Sequence, residues 1–199
     1  ATIEAVKAVM GQYPEVRLGL LDEVYPAGDE VVLIYETTGK VVRPGGLPIE
    51  SGVAVFNVET VYNVYRALNE KTPVEDKLVS VVAEVEHPIT VRVPIGTPLE
   101  EVVALAGGVT TKDAVYFVGG PMMGKTIVND MFVVDRAMNA LTVLPAANDD
   151  AIACLRCGKC SDHCPSGLQP VRITAALKAN DVDEMSKRGV MSCIECGMC

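Results

Sequence analysis

Apolar positions recur at helical intervals at the start of the chain: Ile3, Val6, Val9 and Met10 fall three or four residues apart, and Gly11 and Pro14 end the pattern. VRLGLLDEVYP and EVVLIYETTGK are rich in Val, Leu and Ile between turn residues, which predicts two strands. VVRPGGLPIESG follows as a Pro/Gly loop, and VETVYNVYRALNEK returns to helical spacing. From about Val79 the period changes to two. VSVVAEVEHPITVRVPIGTPL alternates β-branched and polar residues, predicting a hairpin that turns at His87 and Pro88.

Thr97 is then placed to cap a helix over LEEVVALA, closed by Gly107 and Gly108, and AVYFV reads as the next strand. The order strand, strand, helix, strand resembles a small ubiquitin-like β-grasp module. After ALTVLPAANDD the alternation stops and a short polar linker leads to a cysteine-rich segment. PVRITAALKANDVDEMSKRGVMS, with Ile173, Leu177 and Met185 among Ala and Lys, predicts helix between the cysteine groups. The expected fold class is α+β in three parts: a partial α/β domain over residues 1–78, a β-grasp module over 79–145, and an α-helical ferredoxin-like domain over 146–199.

The 199 residues carry a formal net charge of -9, and 49% are hydrophobic. Binding nucleic acid takes clustered Lys and Arg, so nucleic acid is excluded as a partner. No run reaches the roughly 18 apolar residues of a membrane span, and the opening residues carry no secretory pattern. The chain is expected to be soluble and cytoplasmic. Its abrupt start suggests a piece of something longer.

All seven cysteines fall between Cys154 and Cys199. Cys154, Cys157, Cys160 and Cys164, followed by Pro165, have the spacing C-x2-C-x2-C-x3-C-P, and Cys193, Cys196 and Cys199 repeat the triplet. An odd number at such gaps is a poor disulfide framework and a good metal-ligand layout. Three thiolates at this interval wrap a compact [4Fe-4S] cluster, and the more distant fourth cysteine ligates the other cluster in two-cluster ferredoxins. By that rule Cys164, Cys193, Cys196 and Cys199 form one complete set, while Cys154, Cys157 and Cys160 lack a fourth thiolate within these residues. The alternative, a zinc-stabilised interaction module, calls for paired knuckles rather than triplets.

GGPMMGKT matches the phosphate-binding pattern G-x-x-x-x-G-K-[ST] after a strand-like run. Such a loop must open a helix, and TIVNDMFVVD is β-branched and broken by Asn129 and Asp130. Asp135 follows too soon for a crossover connection. The expectation is a tight Gly/Pro turn with two packed methionines, and no ATPase site. Neither His87 nor His163 is expected to be a ligand; His163 inside the cysteine motif at most lends a hydrogen bond.

YPAGDE, RPGGLP, FNVETV, RVPIGTPL, GGPMMG and the two cysteine motifs, in that order, resemble the RnfC family of electron-transport proteins and the related PduS-type flavoproteins of microcompartments. The first part also resembles the NADH- and FMN-binding subunit of respiratory complex I. That resemblance implies Asp29 and Glu30 near the nicotinamide of NADH, and Asn57 and Thr60 near FMN. It implies two clusters in the parent protein, with electrons passing between NAD(H)/FMN and a ferredoxin or a membrane complex. The middle module would be the soluble-ligand-binding (SLBB-like) domain.

Expected partners are the other members of a membrane electron-transport complex, a ferredoxin or flavodoxin, or a cobalamin-linked protein; cobalamin reduction of the PduS type is the alternative function. The location would be the cytoplasm, the cytoplasmic face of a membrane, or a microcompartment. The family's Gly-rich flavin loop, G-x-G-G-x-G, does not occur in this sequence. Without its backbone N–H groups, weak FMN and NADH binding is expected.

Overall fold

The computed structural model describes residues 2–120, 122–127, 132–147 and 153–199. Three helices precede the sheet: α1 (Thr2–Met10), α2 (Glu30–Thr38) and α3 (Val58–Tyr65), which runs on as one π-type turn through Glu70. The strand expected over EVVLIYETTGK is therefore wrong. Asp29 accepts the Val31 and Val32 amide hydrogens at the N-terminus, Gly39 takes φ 70° at the other end, and the two caps override the β-branched run between them. VRLGLLDEVYP is not a strand either; it passes as irregular chain into turns around Val24 to Ala27.

The middle segment holds the core. Strands β1 (Asp76–Ala83), β2 (Ile89–Pro94), β3 (Ala114–Val118), β4 (Lys125–Thr126) and β5 (Ala140–Pro145) form one mixed sheet in the order β2-β1-β5-β3-β4. β1 and β5 are parallel, with Ser80 opposite Ala140, and the remaining pairs are antiparallel. The hairpin expected at His87 and Pro88 joins β1 to β2. Val79 and Val81 of β1, Leu141 and Val143 of β5, and Val102 of α4 (Leu99–Leu105) are buried in one cluster with Met138. Burying side chains of that size stabilises by about 1.5–3 kcal/mol each. Before the sheet, by contrast, Ile34 and Val42 are the buried hydrophobics among the described residues.

Thr97 does not cap α4. Pro98 occupies that position, and the Thr97 hydroxyl donates to the Pro94 carbonyl at 2.8 Å. Lys125 and Thr126 at the end of GGPMMGKT form β4, with Lys125 opposite Val118, so no helix opens there among the described residues. Asn129 and Asp130 lie outside the described residues. The two methionines of the turn are not packed away: Met122 and Met123 are 45% and 56% exposed.

The cysteine segment is helical as expected, with α5 (Lys159–Asp162), α6 (Pro170–Lys178) and α7 (Val182–Lys187), and a 3-10 turn over Val190–Ser192 leads into the last cysteines. Among the described residues no helix is long and apolar enough to cross a membrane.

Candidate metal centre and its neighbouring cleft

Cys154 to Gly158 and Cys193 to Gly197 trace the same backbone. Arg156 and Glu195 adopt left-handed φ of 55° and 54°, and Gly158 and Gly197 follow at 84° and 76°. In each loop the amide two residues on donates to the first sulfur: Arg156 N to Cys154 Sγ and Glu195 N to Cys193 Sγ, both at 3.4 Å. A left-handed non-glycine residue costs about 1–2 kcal/mol. Its return here is an N–H dipole aimed at a sulfur that must carry negative charge to bind metal, a hydrogen bond of the kind that tunes iron-sulfur sites.

Cys164, Cys193, Cys196 and Cys199 line one cavity of about 350 Å³ together with Leu168, Ile173 and Val190. Cys154, Cys157 and Cys160 are not part of it. Thus the cysteine that ends the first motif is gathered with the second triplet. α6 starts at Pro170, shortly after Cys164, and its Ile173 supplies an apolar wall; Cys196 is buried. All seven thiols are free of disulfides.

Among the described residues no three His, Cys, Asp or Glu converge closely enough for a single metal ion. A cubane puts each thiolate on a different iron, so its ligands stand wider apart than the four around one zinc ion. Four thiols in one largely apolar cavity, one of them accepting an aimed amide, fit the cluster. His163 lies outside the cavity; its Nδ1 is 2.9 Å from the Lys159 carbonyl oxygen. His87 is exposed in the β1–β2 turn.

A second, larger cleft of about 670 Å³ adjoins the cluster cavity. Asp29 and Glu30 at the start of α2, Arg43 to Gly46 of the RPGG loop, Met123, and Met191 to Glu195 line it. Ser166, Cys193, Ile194 and Glu195 belong to both walls. The RPGG loop is drawn tight: Arg43 donates to the Glu50 carboxylate from Nε at 2.6 Å and from a terminal nitrogen at 2.9 Å, and a Cβ on Gly45 would stand 2.8 Å from Met191 Cε. The bidentate pair holds the Glu50 carboxyl below the ordinary carboxylate range and pushes the Arg43 guanidinium up.

Asp29 is thus both a helix cap and a lining residue, and Glu30 lines the same cleft. Asn57 and Thr60 do not line it. Asn57 caps α3 by accepting the Glu59 amide at 2.9 Å, and Thr60 is exposed in the first turn of that helix.

Three residues with roles here went unmarked in the sequence. Arg43 had a signal, a lone cation inside a Pro/Gly loop. Glu59, whose carboxylate ties α3 to Lys77 and Leu78 of β1, and Tyr25 had none, because their partners are distant in the chain. The Tyr25 hydroxyl donates to the carbonyl oxygen of Cys196. Desolvation, then the charge of Cys196, then that of Asp29 push the Tyr25 phenol above its ordinary range, so it stays a proton donor.

Comparison with known proteins follows the same three-part division. Residues 1–66 match the family model of the Nuo51 FMN-binding domain, residues 78–126 that of the SLBB domain, and residues 146–199 that of the 4Fe-4S dicluster domain. The cobalamin reductase PduS of Citrobacter freundii is 37% identical over 92% of this chain and 46% of its own length. PduS of Salmonella typhimurium is 36% identical over 98% of the chain and 48% of its own length. The RnfC protein of the ion-translocating oxidoreductase complex of Rhodobacter capsulatus is 35% identical over 84% of the chain and 33% of its own length. The chain therefore spans about half the length of the two PduS proteins and a third of the RnfC protein. With its flavin-domain, SLBB and iron-sulfur dicluster segments, the chain belongs to the family of the PduS cobalamin reductases and the RnfC proteins of ion-translocating oxidoreductase complexes.

Proposed function

We propose that this chain is the electron-relay part of a flavin and iron-sulfur oxidoreductase that connects NADH to a one-electron acceptor. The observation that carries the reading is the cavity that gathers Cys164 with Cys193, Cys196 and Cys199 and leaves the first triplet apart. When bound, FMN supplies the exchange between paired and single electrons, and each cluster changes by one electron at a time.

The chain's own residues do the rest. Cys164, Cys193, Cys196 and Cys199 would hold one cluster, and Cys154, Cys157 and Cys160 would supply three thiolates to the other. The Arg156 and Glu195 amides favour thiolate at the first sulfur of each loop. Leu168, Ile173 and Val190 give the second cluster an apolar wall. Asp29 and Glu30 are assigned to the nicotinamide side of the adjoining cleft, and Asn57 and Thr60, at the exposed start of α3, to FMN.

Two acceptors follow from the relatives. Similarity to proteins named cobalamin reductase over 92% and 98% of this chain supports a corrinoid, and similarity to RnfC over 84% supports a membrane complex or a ferredoxin. The test is anaerobic reconstitution, iron and sulfide analysis, photoreduction, and mixing with aquocobalamin or with ferredoxin. Iron, sulfide and oxidation by either acceptor are expected. Zinc without sulfide would remove the relay reading, and oxidation by ferredoxin alone would remove the corrinoid branch.

A further inference from the structure

The two cysteine loops share a backbone but not a setting. Around Gly158 of the first loop a Cβ would meet open space, and Cys157 is exposed. The second loop is held from two sides. A Cβ on Gly197 would stand 2.5 Å from the Met122 carbonyl oxygen, so the β3–β4 turn lies directly against the loop backbone. On the other side the Tyr25 hydroxyl reaches across 171 positions of sequence to the Cys196 carbonyl. Between these contacts Cys196 is 8% exposed.

We propose that Tyr25 is a positioning residue for the cluster on Cys164, Cys193, Cys196 and Cys199: its hydroxyl fixes the Cys196 loop beside the cleft, and its O–H dipole sets that cluster's potential apart from the potential of its twin. The inference rests on the relay reading above. Reduction adds negative charge to the cluster, and the positive end of the O–H bond points at a ligand's own peptide group. Hydrogen bonding and burial next to the ligands are the levers a protein has on such a potential. Two loops with equal backbones and unequal surroundings therefore have unequal potentials, and the loop that accepts the phenol hydrogen bond is easier to reduce than the same loop stripped of it. Tyr25 also stands four residues before Asp29, so the contact joins the cleft wall to the cluster.

The experiment is an EPR-monitored redox titration of the anaerobically reconstituted 199-residue chain, with Cys157→Ser as a background that isolates the second cluster. In Tyr25→Phe the second cluster's reduced-to-oxidised ratio at fixed potential is expected to fall about threefold, or about 28 mV at 59 mV per tenfold, while the first cluster does not move. Site-specific 3-fluorotyrosine at position 25, a stronger donor of the same shape, is expected to shift it the other way. If Tyr25→Phe fails to hold the second cluster, the fluorotyrosine result alone decides. An unmoved second cluster, or equal movement of both, overturns the inference and leaves the relay reading standing. Wild-type protein without iron and sulfide overturns the relay reading, and the inference with it.

Discussion

Glu59 grips strand β1 with both carboxylate oxygens: one receives the Lys77 ammonium, the other the Leu78 amide at 2.9 Å. The side chains are 11% and 7% exposed, and Asn139 shares the ammonium at 3.1 Å. This pair fastens α3 to the sheet. Removing one partner of a buried pair leaves an uncompensated charge, so Glu59→Gln is expected to lose about 3–5 kcal/mol in urea unfolding followed by circular dichroism. Glu59→Leu combined with Lys77→Met should recover most of that loss, since replacing both ions by apolar groups is often near neutral.

Cys164→Ser is expected to strip the second cluster and spare the site on Cys154, Cys157 and Cys160, although Cys164 belongs to the first motif in sequence. Iron content together with the EPR of oxidised and reduced samples reads the outcome. Loss of the first site instead would show that each motif serves its own cluster.

Gly158→Ala and Gly197→Ala place the same change at twin positions. The first should cost about 1–2 kcal/mol of backbone strain and keep its cluster site. The second adds a collision with the Met122 carbonyl oxygen at 2.5 Å, so the reconstituted protein should come up short of the second cluster's iron and sulfide.

Asp29 has a structural duty that can be separated from its proposed contact with nicotinamide. Asp29→Ala should cost about 1 kcal/mol through loss of the α2 cap, and Asp29→Asn almost nothing. A change in NADH binding in Asp29→Asn, read by titration calorimetry with thermal stability unchanged, would isolate the carboxylate charge.

Acid should loosen the RPGG loop. The Glu50 carboxyl is held below its ordinary value of 4.5 by Arg43, so the folded state binds that proton less readily than the unfolded one. Its contribution is complete above the ordinary value and fades as pH falls through the lower folded one. The amide resonances of Gly45 and Gly46 should shift across that acidic window in wild type and stay put in Glu50→Gln.

Sequence pattern carried the local features well. Cysteine spacing, the hairpin at His87 and the helices after Cys164 depend on neighbours a few residues apart. α2 misled because Val31, Val32 and Ile34 are β-branched, while the features that decided it, Asp29 and Gly39, lie just outside the run. Thr97 offered a cap that the neighbouring Pro98 took instead. Periodicity did not show the cleft, and only the family resemblance touched it, through Asp29 and Glu30. Its walls come from around residues 29, 43 and 193, and no periodicity links positions so far apart.

The parallel pairing of β1 with β5 sets an order of events during synthesis. Ser80 meets Ala140, so the centre of the sheet waits for a strand made 60 residues later, and such long-range closure is slow. β5 nevertheless ends at Pro145, ahead of the first cysteine at 154. A nascent chain therefore has every strand of its sheet outside the ribosome before its first thiol follows, so the sheet can close ahead of the cluster ligands.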